Sequence, residues 1–304
     1  MNPRIRAWLL IITVLVGCGL MVWGGFWYRA RAITPAEMFR RLPVDNAVVV
    51  YIDFAQLRSR HILDLMDSTK VGSDPEYQSF IQKTNFNYRQ DLDTAMVSFA
   101  PSGKYMVLRG RFYWKDLKDY VIAMDGRCNN SLCKMVGSTP ERRISFFPLQ
   151  KTVMALAVSQ DESAVERLNA LDQRAAPQFP NAPVWLMIPP AILESSQSLP
   201  EGTQMFAHRL AKAQGVMLWL AADGTGYAAR LDVRCANVGD AVEIASQLTQ
   251  ATNLLRRVIE SEDKKPNPAD LSGMLTSGTF HNEGTRVLGG WPIPQALIET
   301  LLGQ

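Results

Sequence analysis

Two cysteines that flank a short polar turn are the residues best placed to do chemistry in this 304-residue sequence. Cys128 and Cys133 lie in the segment GRCNNSLCK, between two runs of strand character. Thiols on either side of a short turn can come close enough to form a disulfide, which persists only in an oxidising compartment. We therefore predict a structural disulfide, with two free thiols or a metal or redox pair as the alternatives. A metal pair would favour CxxC spacing, and no second pair or nearby histidine completes a ligand set.

A third cysteine raises a question of lipidation. Cys18 ends the segment LVGC, which has the residue types of a bacterial lipobox after the basic Arg4 and Arg6. Residues 7–28 carry no charge, however, and about 22 helical residues span roughly 33 Å, enough to cross a bilayer. Cleavage before Cys18 would also leave the apolar stretch GLMVWGGFW where a polar tether is usual. We predict an uncut transmembrane helix within an anchor over residues 1–31, with lipidation of Cys18 as the alternative.

The prediction of which side of the membrane the body occupies rests on the cysteines. Basic residues flank the apolar stretch on both sides in nearly equal number, so the positive-inside comparison is close to a tie. The predicted disulfide favours a body outside the cytoplasm. The expected location is the bacterial inner membrane, with a single pass, the body in the periplasm and the lipid bilayer as a partner.

The charge of the body excludes one class of partner. Four of the 32 basic residues, and no acidic residue, lie in residues 1–31, which leaves 28 basic and 29 acidic residues in the remainder. Such a balanced body lacks the basic footprint of a nucleic-acid-binding protein. We expect no nucleic-acid partner.

The familiar catalytic and cofactor motifs are missing from the sequence. Residues 224–229, GTGYAA, fit GxGxxA, but the residues that follow alternate as a strand, which indicates a hairpin and not a dinucleotide site. The three histidines, His61, His208 and His281, have no second ligand type at metal-binding spacing. No nucleophile elbow or phosphate-binding loop occurs. We predict no catalytic residues, cofactor or metal, and a protein that is not an enzyme.

Four further side chains could have a functional role. Asp91 and Asp93 could form a carboxylate pair, but a solvated turn ahead of a strand is the favoured interpretation. Trp114 opens a predicted helix, and Trp291 lies in GGWPIP, a segment flanked by Gly and Pro that predicts a loop. Both tryptophans are candidates for contact with a partner protein. Packing of Trp291 beneath the terminal helix is the alternative.

The elements around these residues predict an α+β fold with mainly antiparallel sheets. A first domain, residues 32–175, reads as strands with helices at 32–42, 55–66, 75–83, 114–124 and 162–173, and includes a strand pair around Pro101. Residues 173–182 are a linker candidate. A second domain, residues 182–304, restarts the pattern, because residues 215–235 echo residues 95–114 as strand, turn and strand. Two divergent copies of one unit is our hypothesis, and chance similarity of short α+β strings is the alternative.

Four phrases resemble a family of uncharacterised bacterial proteins that carry one N-terminal membrane segment. They are LPVDNAVVVYIDFAQLR, TNFNYRQDLDTAMVSFA, MVLRGRFYWKDLKDY and GRCNNSLCKMVGS, which together cover about the first half of the body. The resemblance implies a bacterial envelope protein and supplies no site residues.

Together these features predict a membrane-anchored extracytoplasmic binding or accessory protein, which could be a subunit of a membrane complex. One alternative is an envelope enzyme whose site is assembled from residues far apart in sequence. Another is a lipoprotein that carries apolar ligands, which would require an apolar cavity between sheet and helices.

Overall fold

A computed structural model describes residues 33–60, 62–65, 75–137, 139–194, 206, 209–210, 212–223, 226–261 and 265–303. The predicted anchor and Cys18 lie outside these ranges. Within them, no helix combines the length and the apolar character needed to cross a bilayer.

The body is a mixed α/β structure built on one large antiparallel sheet, as the sequence predicts in outline. Twelve strands follow the order β11-β12-β10-β9-β8-β1-β2-β3-β7-β6-β5-β4. In the first half the strands are β1 (Val48–Asp53), β2 (Leu92–Ala100), β3 (Gly103–Gly110), β4 (Arg127–Asn129), β5 (Leu132–Val136), β6 (Arg143–Gln150) and β7 (Val153–Ser159). In the second half they are β8 (Val184–Ile188), β9 (Gly215–Asp223), β10 (Gly226–Arg234), β11 (Thr279–Glu283) and β12 (Arg286–Ile293).

Helices of very different length accompany the strands. Before β4 they are α1 (Pro35–Phe39), α2 (Phe54–Ser59), α3 (Ile62–Leu65), α4 (Pro75–Thr84), α5 (Tyr88–Asp91) and α6 (Trp114–Ala123). After β8 they are α7 (Pro190–Glu194), α8 (Val238–Ser261), α9 (Leu271–Leu275) and α10 (Gln295–Gly303). Because α6 has 10 residues and α8 has 24, the helical cover of the two halves differs greatly in extent.

The sheet runs without a break across the boundary that the sequence suggests between two domains. β1 pairs antiparallel with β8 at the centre, where Tyr51 lies opposite Trp185. On either side the strands recur in matching order, β1-β2-β3-β7-β6 against β8-β9-β10-β12-β11. The connections match as well, because a helix follows the third strand of each half and a hairpin follows the helix.

The two faces of the sheet are covered differently. The helical face, which carries Leu108 and Leu231, lies under α4, α6 and α8. The opposite face, here called the α1 face, carries Tyr51 and Trp185, both buried. On the α1 face, Phe179 stacks on Trp185 with ring centroids 4.6 Å apart. The predicted linker therefore packs a ring against the middle of the sheet.

One predicted helix takes another form. Residues 162–173 were expected to be an α-helix, but the structure has a 3-10 helix over Ala164–Asn169. The Arg41 guanidinium donates hydrogen bonds to the carbonyls of Leu168 and Asn169, at 3.1 and 2.9 Å. Because these carbonyls bind a side chain from a distant element, they are not left for a further helical turn.

Candidate functional site

The predicted disulfide is present in a hairpin at one edge of the sheet. Cys128 on β4 lies directly opposite Cys133 on β5, and their sulfurs are bonded at 2.04 Å. Asn130, in the turn between them, adopts a left-handed backbone with φ of 56°, which Asn tolerates better than most residues. The sequence prediction of a disulfide is confirmed, and the free-thiol and metal alternatives are wrong for this pair.

An apolar cavity of about 250 Å³ lies beside this hairpin, between the helical face and the helices above it. On the helix side its lining comes from α4, α6 and the segments near them: Phe80, Phe86, Phe112, Leu117 and Tyr120. On the sheet side it comes from β3, β5, β6 and β7: Leu108, Met135, Ile144, Phe146, Met154 and Leu156. Tyr120 supplies the one hydroxyl among these lining side chains. The cavity can accept hydrocarbon but offers little to a polar ligand.

Contacts between aromatic rings hold the helical wall of the cavity in place. Phe80 meets Tyr120 edge to face with centroids 5.2 Å apart, and Phe86 stacks on Phe112 at 5.5 Å. Such ring pairs stabilise their geometry beyond the burial of area alone. These two ring pairs form much of the helical wall of the cavity.

The buried carboxylate of Asp91 holds Arg111, the residue before Phe112 in the helical wall of the cavity. Asp91 is 4% exposed and accepts hydrogen bonds from Arg111 Nε at 2.8 Å and from the Asn87 N–H at 2.8 Å. The hydrogen bonds to Asp91 raise the pKa of the Arg111 guanidinium. The interpretation of Asp91 as a residue in a solvated turn is therefore wrong, because Asp91 ends α5 and ties it to the residue before Phe112.

Asp93 and His281 are more exposed than Asp91. Asp93 lies on β2 beside Arg58 and Arg109, with nitrogen–oxygen distances of 3.6 and 3.9 Å. His281, on β11, has Nε2 3.3 Å from a Glu283 carboxylate oxygen. Within the ranges that the structure describes, no three His, Cys, Asp or Glu side chains group in a way that could hold a metal ion. His61 and His208 lie outside those ranges.

The two tryptophans proposed as partner contacts have different positions. Trp114 is half-buried, donates from Nε1 to the Lys151 carbonyl at 2.9 Å and packs against the cluster around the cavity. Trp291 lies within β12 and not in a loop, and it is only 7% exposed. Its ring packs edge to face against Phe206 and Phe280. A side chain buried in this way cannot anchor a partner at the surface, so we correct that interpretation of Trp291.

The described part of the GxGxxA segment, from Gly226 onward, lies on a strand. Gly226 opens β10 and lies opposite Asp223, the last residue of β9. Because Gly226–Arg234 form a strand and not a helix, the dinucleotide-binding geometry is absent at this point of the described chain.

No family model matches this chain, and no curated protein matches it significantly. Among solved structures, several crystal forms of TP0453 are similar to it. Form I has a TM-score of 0.49 at 14% identity, covering 90% of this chain and 98% of the other. Form III has a TM-score of 0.47 at 13% identity, covering 90% and 99%. Form IV has a TM-score of 0.46 at 12% identity, covering 88% and 97%.

Proposed function

We propose that this chain is a binding protein of the bacterial envelope, anchored in the inner membrane by residues 1–31, whose body takes up a small apolar molecule outside the cytoplasm. The apolar cavity between the helical face and the helices α4 and α6 is the observation that carries this proposal.

The size and lining of the cavity support a ligand of one or two rings or a single short hydrocarbon chain. Protein interiors keep few voids larger than a water molecule. An engineered cavity of about 150 Å³ with a comparable lining stays dry and binds benzene, and drug-sized ligands need about 300 Å³ or more. The present cavity, at about 250 Å³, lies between those sizes.

Two other features support the proposed location. The disulfide between Cys128 and Cys133 suits an oxidising compartment. The uncharged stretch at residues 7–28 has the length of a membrane span. Mass spectrometry of the native N-terminus separates the two forms of attachment, since an intact Met1 supports the helix and a lipidated Cys18 would replace it.

We propose binding and not catalysis as the activity, with the bilayer and other envelope proteins as partners. The motivation is a sequence without a reactive constellation, joined to a body that has a place for a ligand. If the purified protein turned over a substrate and one point mutation abolished that turnover, the alternative of an envelope enzyme would replace this proposal.

Methionine methyl groups allow a direct test on the full-length protein in lipid nanodiscs. Met135 and Met154 line the cavity, whereas Met96 is fully buried on the α1 face and serves as an internal reference. With ¹³C-methyl methionine, benzene and n-hexanol are expected to shift the Met135 and Met154 signals and to leave the Met96 signal unchanged. No shift at Met135 or Met154 up to the solubility limit of both probes would exclude the proposed function.

A further inference from the structure

A second concave site lies on the α1 face of the sheet, separate from the apolar cavity. It has a volume of about 420 Å³ and is bordered by the end of β8, the start of β9 and the end of β10. Its wall mixes apolar side chains such as Met187 and Met217 with the charged Asp232, Arg234 and Arg286. We call it the arginine cleft.

The strand register places two arginines side by side in this cleft. Gly215 on β9 lies opposite Arg234 on β10, which lies opposite Arg286 on β12. Residues directly opposite in an antiparallel sheet point to the same face, and like charges at such positions repel one another. Negative charge bound at the guanidinium groups therefore favours the arrangement.

Asp232 compensates the positive charge of one of these arginines, Arg286. Asp232 accepts hydrogen bonds from Arg286 Nε at 3.1 Å and Nη2 at 2.5 Å, a two-pronged contact that raises the pKa of Arg286. Arg234 is exposed, and among the described residues its guanidinium has no ion pair. The cleft thus keeps one positive charge with no acidic neighbour bound to it.

Gly215 keeps space open beside that charge. A Cβ placed on Gly215 would meet no atom within 4 Å, so the strand floor here is bare backbone with free volume above it. The walls continue into apolar surface at Met187 and Met217. A ligand that fits both features has an anionic head and an apolar body.

We propose that the arginine cleft binds a small organic carboxylate, with its head on Arg234 and its alkyl part along Met187 and Met217. A carboxylate matches the planar fork of a guanidinium and provides the single negative charge that the cleft lacks. This site does not depend on the proposed apolar cavity, which lies on the other face of the sheet.

The same methionine-labelled protein in nanodiscs tests the proposal, with sodium heptanoate as the probe and 1-heptanol as its uncharged match. Heptanoate is expected to shift the Met187 and Met217 signals, and heptanol is not. Shifts that heptanoate causes only at Met135 and Met154 would place it in the apolar cavity and overturn the proposal for the cleft. Failure of benzene and hexanol at Met135 and Met154 would leave this result untouched.

Two variants and a matched control complete the experiment. Arg234→Gln is expected to weaken heptanoate binding by about tenfold or more, as loss of a charge-assisted contact requires. Gly215→Leu fills the open space without changing charge and is expected to abolish binding. Arg230→Gln removes the same charge from the same face of β10, where Arg230 pairs with Asp223 at 3.1 Å, and is expected to have little effect. Equal affinity in wild type and Arg234→Gln would overturn the proposal.

Discussion

At the scale of single residues, ionisable side chains such as Asp91 and Tyr51 are buried inside the fold. The Asp91 carboxylate accepts hydrogen bonds from Asn87 and Arg111, and Tyr51 is buried against Trp185 with ring centroids 5.2 Å apart. On the helical face, by contrast, apolar side chains leave the apolar cavity between them. Both features lead to predictions for individual side chains.

Filling the apolar cavity should not cost stability. Leu108→Phe adds volume to a cavity-lining position on β3, so the free energy of unfolding should stay level or rise by about 1 kcal/mol. Leu231→Phe makes the same change on β10, under α8, where Leu231 is 1% exposed in a packed core. Overpacking there should lower the free energy of unfolding by about 1–3 kcal/mol. Urea denaturation measures both variants, and equal losses would mean that the cavity is filled in solution.

Stability should fall at high pH because of Tyr51. Burial, with a smaller contribution from the Asp53 charge, raises the pKa of Tyr51 to about 12, above the value near 10 of an unfolded chain. Between about pH 10 and 12 the unfolded state holds fewer protons at this site than the folded state, so stability contributed by neutral Tyr51 is lost as pH rises.

Chemical denaturation of wild type and Tyr51→Phe across that pH range measures the effect. The variant should lose less stability than wild type between pH 10 and 12. Tyr113→Phe, at a position 39% exposed, serves as the control and should follow the wild-type curve. Identical pH profiles for all three proteins would contradict the burial of the Tyr51 hydroxyl.

At the scale of elements, the β4–β5 hairpin has the least support from the rest of the sheet. β4 has three residues and pairs on one side only, with β5. β5 in turn carries Cys133, which is fully buried, and Met135 in the cavity wall. The disulfide therefore fixes an edge whose inner strand belongs to the candidate site.

Removing the disulfide should destabilise the protein and loosen the cavity together. For a loop closed by residues five positions apart, chain entropy accounts for about 2 kcal/mol. Dithiothreitol, or the double variant Cys128→Ser with Cys133→Ser, should lower the free energy of unfolding by about that amount. Benzene should then shift the Met135 methyl signal less. Because the double variant has no bond to reduce, dithiothreitol should leave its denaturation curve unchanged; an equal loss there would assign the effect to another cause.

At the scale of the whole molecule, one sheet joins two halves of equivalent strand order. The join is the β1–β8 pair, where Tyr51, Trp185 and Phe179 form one aromatic stack on the α1 face. Strand hydrogen bonds and a shared stack couple the halves, so we expect them to unfold together although each has a core of its own.

Trp185→Ala should therefore weaken both halves at once. Trp185 is 1% exposed, and truncation of a buried aromatic side chain costs about 3–5 kcal/mol. Amide hydrogen exchange should accelerate to a similar degree in β3 and β10, which lie on opposite sides of the join. Acceleration in β10 alone, or two separate calorimetric transitions in the wild type, would show that the halves are independent.

Local sequence determined those features that depend on neighbouring residues. The turn at Pro101 and Gly103, the strands at 215–235 and the cysteines around Asn130 were all predictable, because turn chemistry and alternation act over a few positions. The disulfide at the edge of the candidate site followed from the same local reasoning, as did the general α+β character with antiparallel pairing.

Tertiary structure alone decided where distant segments meet. The cavity joins residues from Phe80 to Leu156, and the arginine cleft depends on the register that sets Gly215, Arg234 and Arg286 in one row. Trp291 and Asp91 could not be placed from their flanking residues, because their burial depends on the rings and arginine that reach them from elsewhere. Strand pairing across more than a hundred residues, as in β1 with β8, is selected by the total burial and hydrogen bonding of the folded chain, which no short window of sequence records.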